Sequence, residues 1–203
     1  MKYGELTLGQ VEAIVNKLGG MDRVYELLRD NLTVKPSSLL KRIATIEVGY
    51  ACGFIGKEHF KKNIRGERNN VMMQEMVCGF TDRFWGKVEK EVQPAILGAY
   101  DLLTPASDVE ILAELGKRAE ISLAHLWQLL LRQPCGQPGP LHTDGKHNIF
   151  YIRGVDDLLW TVQANWHGLT YPDSRVGWGF FAHSPGPVEE RSSWYEGLRI
   201  LAR

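Results

Sequence analysis

The alternation of apolar and polar positions is strongest in one stretch near the end of the chain. Leu158, Trp160, Val162, Ala164 and Trp166 fall on one side of an extended segment, and Leu159, Thr161, Gln163, Asn165 and His167 on the other. A period of two predicts a half-buried antiparallel strand, with an aromatic core beneath it and a polar surface above. Segments 148–153, 178–183 and 198–202 have similar composition, and Gly154-Val155-Asp156-Asp157 is short enough to close the first pair of strands into a hairpin. The connection 184–197 holds two prolines and is expected as a longer loop.

Elsewhere the spacing is helical. Thr7 and Gln10 stand at capping-box spacing ahead of Leu8, Val11, Val15 and Leu18, and Gly19-Gly20 ends that helix. A second helix follows to about Asp30, with Val24, Leu27 and Leu28 inward, and 32–36 reads as an extended exit before proline. This pair invites a helix-turn-helix reading, but Asp22, Glu26 and Asp30 make the second helix too acidic for a phosphate-lined groove. A structural or docking hairpin fits better. Ser37 or Ser38 is expected to cap a short helix through Ile43, followed by a strand at 45–48. Segment 57–64 reads as a basic helix, and Asn69-Asn70 as the start of another through Met76. Thr104-Pro105 reads as a helix start ahead of Val109, Leu112 and Leu115. Ser122 caps a helix with Leu123, Leu126, Trp127, Leu130 and Leu131 on its apolar face, and Pro134 ends it. The expected class is α+β: a helical hairpin over 1–36, then a main domain over 37–203 that ends in an antiparallel sheet of about four strands.

Composition narrows the function more than the fold. With 24 Lys+Arg against 24 Asp+Glu the formal net charge is zero, which disfavours nucleic acid as the partner. A local cluster, Lys57, Lys61, Lys62, Arg65 and Arg68, is the one nucleic-acid candidate. Three widely spaced cysteines, Cys52, Cys78 and Cys135, form no disulfide framework and fit a reducing compartment. Residues 1–10 hold no apolar signal core and no long apolar run follows, so a cytoplasmic location and no membrane partner are expected. Asn31-Leu32-Thr33 matches a glycosylation acceptor, which carries no meaning without secretion.

Two constellations could carry chemistry. Cys135, His142, Asp144 and His147 share a Gly/Pro-rich loop, where a thiolate and two imidazoles could ligate zinc or pair as nucleophile and base. Their spacing matches no common zinc pattern, and no cofactor is expected. The other is the polar side of the sheet, where Tyr151, Arg153, Gln163, Asn165, His167 and His183 would gather if the strands pair in that register. Amides and a guanidinium give directional hydrogen bonds, and a tyrosine gives flat contact area at low entropic cost. Phosphate-loop, dinucleotide, His-Glu-x-x-His and Gly-x-Ser-x-Gly patterns do not occur in the sequence.

Three stretches are similar to a group of uncharacterised bacterial proteins, many from candidate-phylum genomes. They are the opening Leu8-Gly9-Gln10-Val11-Glu12-Ala13-Ile14-Val15-Asn16-Lys17-Leu18-Gly19-Gly20-Met21, the central Ile111-Leu112-Ala113-Glu114-Leu115-Gly116, and a C-terminal set. That set comprises Asn148-Ile149-Phe150-Tyr151-Ile152-Arg153, Leu159-Trp160-Thr161-Val162 and Gly177-Trp178-Gly179. The resemblance implies no particular activity. Where the group's pattern reads Thr-Asn-Gly, this chain has Thr143-Asp144-Gly145, flanked by His142 and His147. The leading expectation is a non-enzymatic binding module that meets a protein or peptide on the polar face of its C-terminal sheet. The alternatives are a hydrolase-like or zinc enzyme on the 135–147 loop, then a nucleic-acid binder.

Overall fold

The computed structural model describes residues 7–29, 38–60, 71–76, 79–168, 176–185 and 193–203, and the chain divides into two compact units, Met1–Ser37 and Ser38–Arg203. In the first unit, Thr7 Oγ1 accepts from the Gln10 N–H at 3.3 Å while Gln10 Oε1 accepts from the Thr7 N–H at 2.8 Å. This reciprocal cap opens α1 (Leu8–Lys17). The Gly19-Gly20 turn, with both φ angles near +90°, then leads into α2 (Met21–Leu28).

The second unit opens with a long bent ribbon. β1 (Leu40–Val48) pairs antiparallel with β5 (Ala95–Leu102), and β2 (Ala51–Ile55) pairs antiparallel with β4 (Val88–Val92). Val48 faces Ala95 and Ala51 faces Val92, so one register runs through the bend at Gly49-Tyr50 and Gln93-Pro94. Between β2 and β4 come α3 (Gly56–His59), β3 (Met73–Met76) and α4 (Phe80–Phe84). After β5 follow α5 (Asp108–Leu115), β6 (Glu120–Ile121), α6 (Leu123–Arg132), β7 (Asn148–Arg153), β8 (Leu159–His167), β9 (Gly177–His183) and β10 (Arg199–Ala202). The main sheet has the order β1-β5-β10-β7-β8-β9-β3, with β6 also beside β7. β10 and β6 run parallel to β7, and β3 runs parallel to β9; the other pairs are antiparallel.

α6 holds the bend through residues three and four apart on one helical face. Gln128 accepts from the Gly49 N–H at 2.7 Å and donates to the Gly49 carbonyl at 3.0 Å, His125 Nε2 donates to the Gln93 carbonyl at 3.0 Å, and Arg132 donates to the Glu47 carbonyl. The Glu89 carboxylate of β4 accepts the first free amides of α6, from Leu123 at 3.0 Å and Ala124 at 2.8 Å. An anion at a helix N-terminus satisfies orphan donors and opposes the helix dipole. Glu89→Ala is therefore expected to lower the unfolding free energy by about 2 kcal/mol, read from a urea titration.

The sheet is covered on both faces. On one, Leu123, Leu126, Trp127 and Leu130 of α6 pack in a cluster with Phe150, Ile152, Val162, Ala164, Trp178 and Phe180. On the other, Ile111 and Leu115 of α5 pack with Tyr100, Leu102, Ile149, Tyr151 and Ile200.

Four expectations change. The sheet is larger than four strands and is mixed, because the ribbon from the first half of the chain joins it. Segment 38–43 is no helix but the start of β1, where a bulge between Arg42 and Ala44 shifts the register. The bulge breaks the alternation that would mark a strand: Leu40 packs in the α5-side cluster, whereas Ile46 and Val48 pack in the α6-side cluster. Residues 73–76 form a strand beside β9, too short for its period to be read. The helix expected at Thr104-Pro105 begins at Asp108, because Ala106 first makes a bridge with Trp194 and Ser107 is the cap.

Candidate functional site

The β7–β8–β9 register fixes what shares a face with the polar side of β8. Thr161 lies between Tyr151 and His183, Gln163 between Ile149 and Phe181, and Asn165 opposite Gly179. His167 lies opposite Gly177, so β9 presents no side chain across from Asn165 or His167. Tyr151, Gln163, Asn165, His167 and His183 thus stand on one face. Arg153 shares it, but its guanidinium turns to Glu120 at 3.0 Å and to the Asp157 carbonyl at 2.8 Å.

This face is not the water-facing surface that alternation predicts. Thr161 is fully buried, and Gln163 and Asn165 are 8% and 7% exposed, because α5 and the 194–198 segment cover much of the face. What stays accessible is a rim around those amides. Phe181 is 37% exposed and Tyr195 49%, while His147, His167, His183 and Trp194 are half-buried.

The best-tied group on the face is Asp108, the first residue of α5. Its Oδ1 accepts from the Tyr151 hydroxyl at 2.7 Å and from Trp194 Nε1 at 2.8 Å, and its Oδ2 lies 3.4 Å from His183 Nε2. Burial pushes the Asp108 carboxyl up, but the hydrogen bonds from His183, Trp194 and Tyr151 outweigh it and hold the carboxyl below its ordinary value. Burial first, and then the neighbouring Asp108 charge, push the Tyr151 phenol well above its ordinary value, so it stays a donor. The other ring nitrogen of His183, Nδ1, lies 3.4 Å from the Gln163 amide nitrogen, and the Trp194 ring lies 5.6 Å from the imidazole. The Thr161 hydroxyl, in the same cross-strand row, is buried without a hydrogen-bond partner among the described residues.

A second pair stands two rungs along β8. His147 Nδ1 donates to Asn165 Oδ1 at 2.6 Å, and the His147 ring lies 6.0 Å from Tyr195. Burial and then the charge of His147 hold the His167 imidazole below its ordinary value.

No family model, curated protein or solved structure matches this chain. The functional reading therefore rests on the geometry.

The 135–147 loop does not bring its candidates together. Cys135 is exposed, and its backbone N–H bonds to Gln137 Oε1. His142 lies 3.6 Å from Asp144, and His147 turns to Asn165 instead. Among the described residues no group of three or more His, Cys, Asp or Glu side chains is placed to hold a metal. Lys57 lies in α3, whereas Lys61, Lys62, Arg65 and Arg68 lie outside the described residues. No helix among the described residues is long and apolar enough to cross a membrane.

Sequence reasoning did not select Asp108, Phe181, Trp194 or Tyr195 for this face. Asp108 follows Ser107 in a capping box, where an acid in the first turn already has a local explanation. Phe181 interrupts the period-two pattern of β9, being opposite Gln163 on the polar face. Nothing in the spacing of Trp194 and Tyr195 announces their position, because it depends on the bridge to Ala106.

Proposed function

We propose that the chain is a binding protein whose partner, a protein or peptide, inserts a polar group over Gln163 and Asn165. The observation that carries this reading is the rim. Three imidazoles and three aromatic rings stay partly exposed around two buried amides, on a face that α5 otherwise closes. Amides present donors and acceptors together, so a floor of two can bond a peptide group in both senses. Rigid aromatic rims add contact area at little entropic cost. Gly177 and Gly179 put no β9 side chain opposite Asn165 and His167, which favours a narrow inserted group.

The test is a selection of random peptides against the immobilised chain, followed by affinity measurement on variants. Tyr195→Ala changes an exposed ring and should leave stability within about 0.5 kcal/mol. Affinity for selected peptides is expected to fall about tenfold in Tyr195→Ala, and at least as far in Gln163→Ala. Peptides that bind both variants as tightly as the parent chain would place their site elsewhere and overturn the assignment.

A further inference from the structure

The hairpin of α1 and α2 carries Leu8, Val11, Ile14, Val15, Leu18, Met21, Val24, Tyr25 and Leu28, and neither helix buries a residue. Leu8 is 76% exposed and Leu28 73%. The reciprocal Thr7–Gln10 cap opens the hairpin and the Gly-Gly turn joins its two helices. Helices of ten and eight residues are nevertheless marginal on their own and depend on packing an apolar face. The charges say what packs there. Arg23 closes an ion pair with Glu26 within its own helix at 2.8 Å. Asp22 and Arg29 remain, seven residues apart and so two turns apart on one flank of the Met21–Val24–Tyr25–Leu28 stripe.

We propose that this face docks on the same face of a second copy of the chain, giving a symmetric four-helix dimer. When two α2 helices cross antiparallel about a two-fold axis, like flanks face each other. Asp22 then meets the partner's Arg29, and Arg29 meets the partner's Asp22. One axis satisfies both pairs, so the contact is self-complementary and closes at two chains instead of propagating. Glu12, Asp22 and Glu26 balance Lys17, Arg23 and Arg29, so the two hairpins carry no net repulsion. The apolar stripe supplies the association, and the paired charges fix its direction.

The test is sedimentation of the full chain over a concentration series, together with three variants. The parent is expected at twice its 23.0 kDa mass. Leu28→Glu places a charge in the stripe and should raise the dimer dissociation constant at least about a hundredfold. Asp22→Arg replaces attraction with repulsion at two symmetric sites and should raise it about tenfold. The exchange Asp22→Arg with Arg29→Asp should return the constant to within about threefold of the parent. Circular dichroism should match the parent for each variant, and the exposed charge variants keep the test independent of how Leu28→Glu folds. A monomer throughout, an assembly larger than two, a dimer indifferent to Leu28→Glu, or an exchange variant no better than Asp22→Arg alone would overturn the proposal.

Discussion

Asp108→Ala is expected to destabilise the Ser38–Arg203 unit by about 3 kcal/mol, seen as a lower urea midpoint with an unchanged slope. The carboxylate side chain is only 10% exposed and is the acceptor for the Tyr151 hydroxyl and Trp194 Nε1, with His183 Nε2 at 3.4 Å. Truncation leaves those donors without their acceptor in a setting with little water, and an unmade buried hydrogen bond costs more than a made one contributes. Asp108→Asn keeps an acceptor oxygen but loses the charge, and should fall between the two. The same carboxylate predicts a pH dependence. Its folded-state value is depressed, so the stability it adds is present above the ordinary carboxylate value of 3.8 and is lost as pH falls toward the folded value. The stability difference between the parent chain and Asp108→Asn should therefore hold from neutral pH down to about 5 and shrink below about 4. A difference that stays constant into strong acid would remove the charge from the account.

Gln133→Ala is the second large effect, at about 3 kcal/mol by the same measurement. Gln133 is fully buried and staples the loop after α6: Nε2 donates to the Gln137 carbonyl at 2.7 Å and the Leu141 carbonyl at 3.1 Å, and Oε1 accepts from the Leu141 N–H at 2.8 Å. A methyl added at Gly139 would lie 2.5 Å from the Gln133 side chain, so the loop is shaped around this amide. The Gln133 carbonyl also accepts from Trp178 Nε1 at 3.0 Å, tying the loop to the core of the sheet. Loss of the side chain should speed hydrogen exchange at the Leu141 amide, and unchanged exchange there would show that the loop holds itself.

The β7–β8 hairpin and α6 were legible because their signals are local. Period two and a short Gly-Val-Asp-Asp turn mark the hairpin, and a serine cap and a proline stop mark the helix. The Thr7–Gln10 cap is local in the same sense. The first half of β1, up to its bulge, was hidden although 45–48 read as strand, and β3 was hidden by its length. The burial of the polar side of β8 could not be read from β8 itself, because what covers it comes from residues 106–115 and 194–198. The sequence placed Gln163, Asn165 and His183 on one face. It could not show that Asp108 anchors that face, or that the residues opposite Asn165 and His167 on β9 are Gly179 and Gly177. The 135–147 loop is the opposite case. Its residues are close along the chain but point to different partners, His142 toward Asp144 and His147 toward Asn165.

The most direct test of the binding face is hydrogen exchange on the full chain with and without a selected peptide. The account predicts new protection in β8 at 161–167 and in the Trp194–Tyr195 segment, with α6 and the β1–β5 ribbon unchanged. Protection confined to α1 and α2, or to the far edge of the sheet at β1, would contradict it.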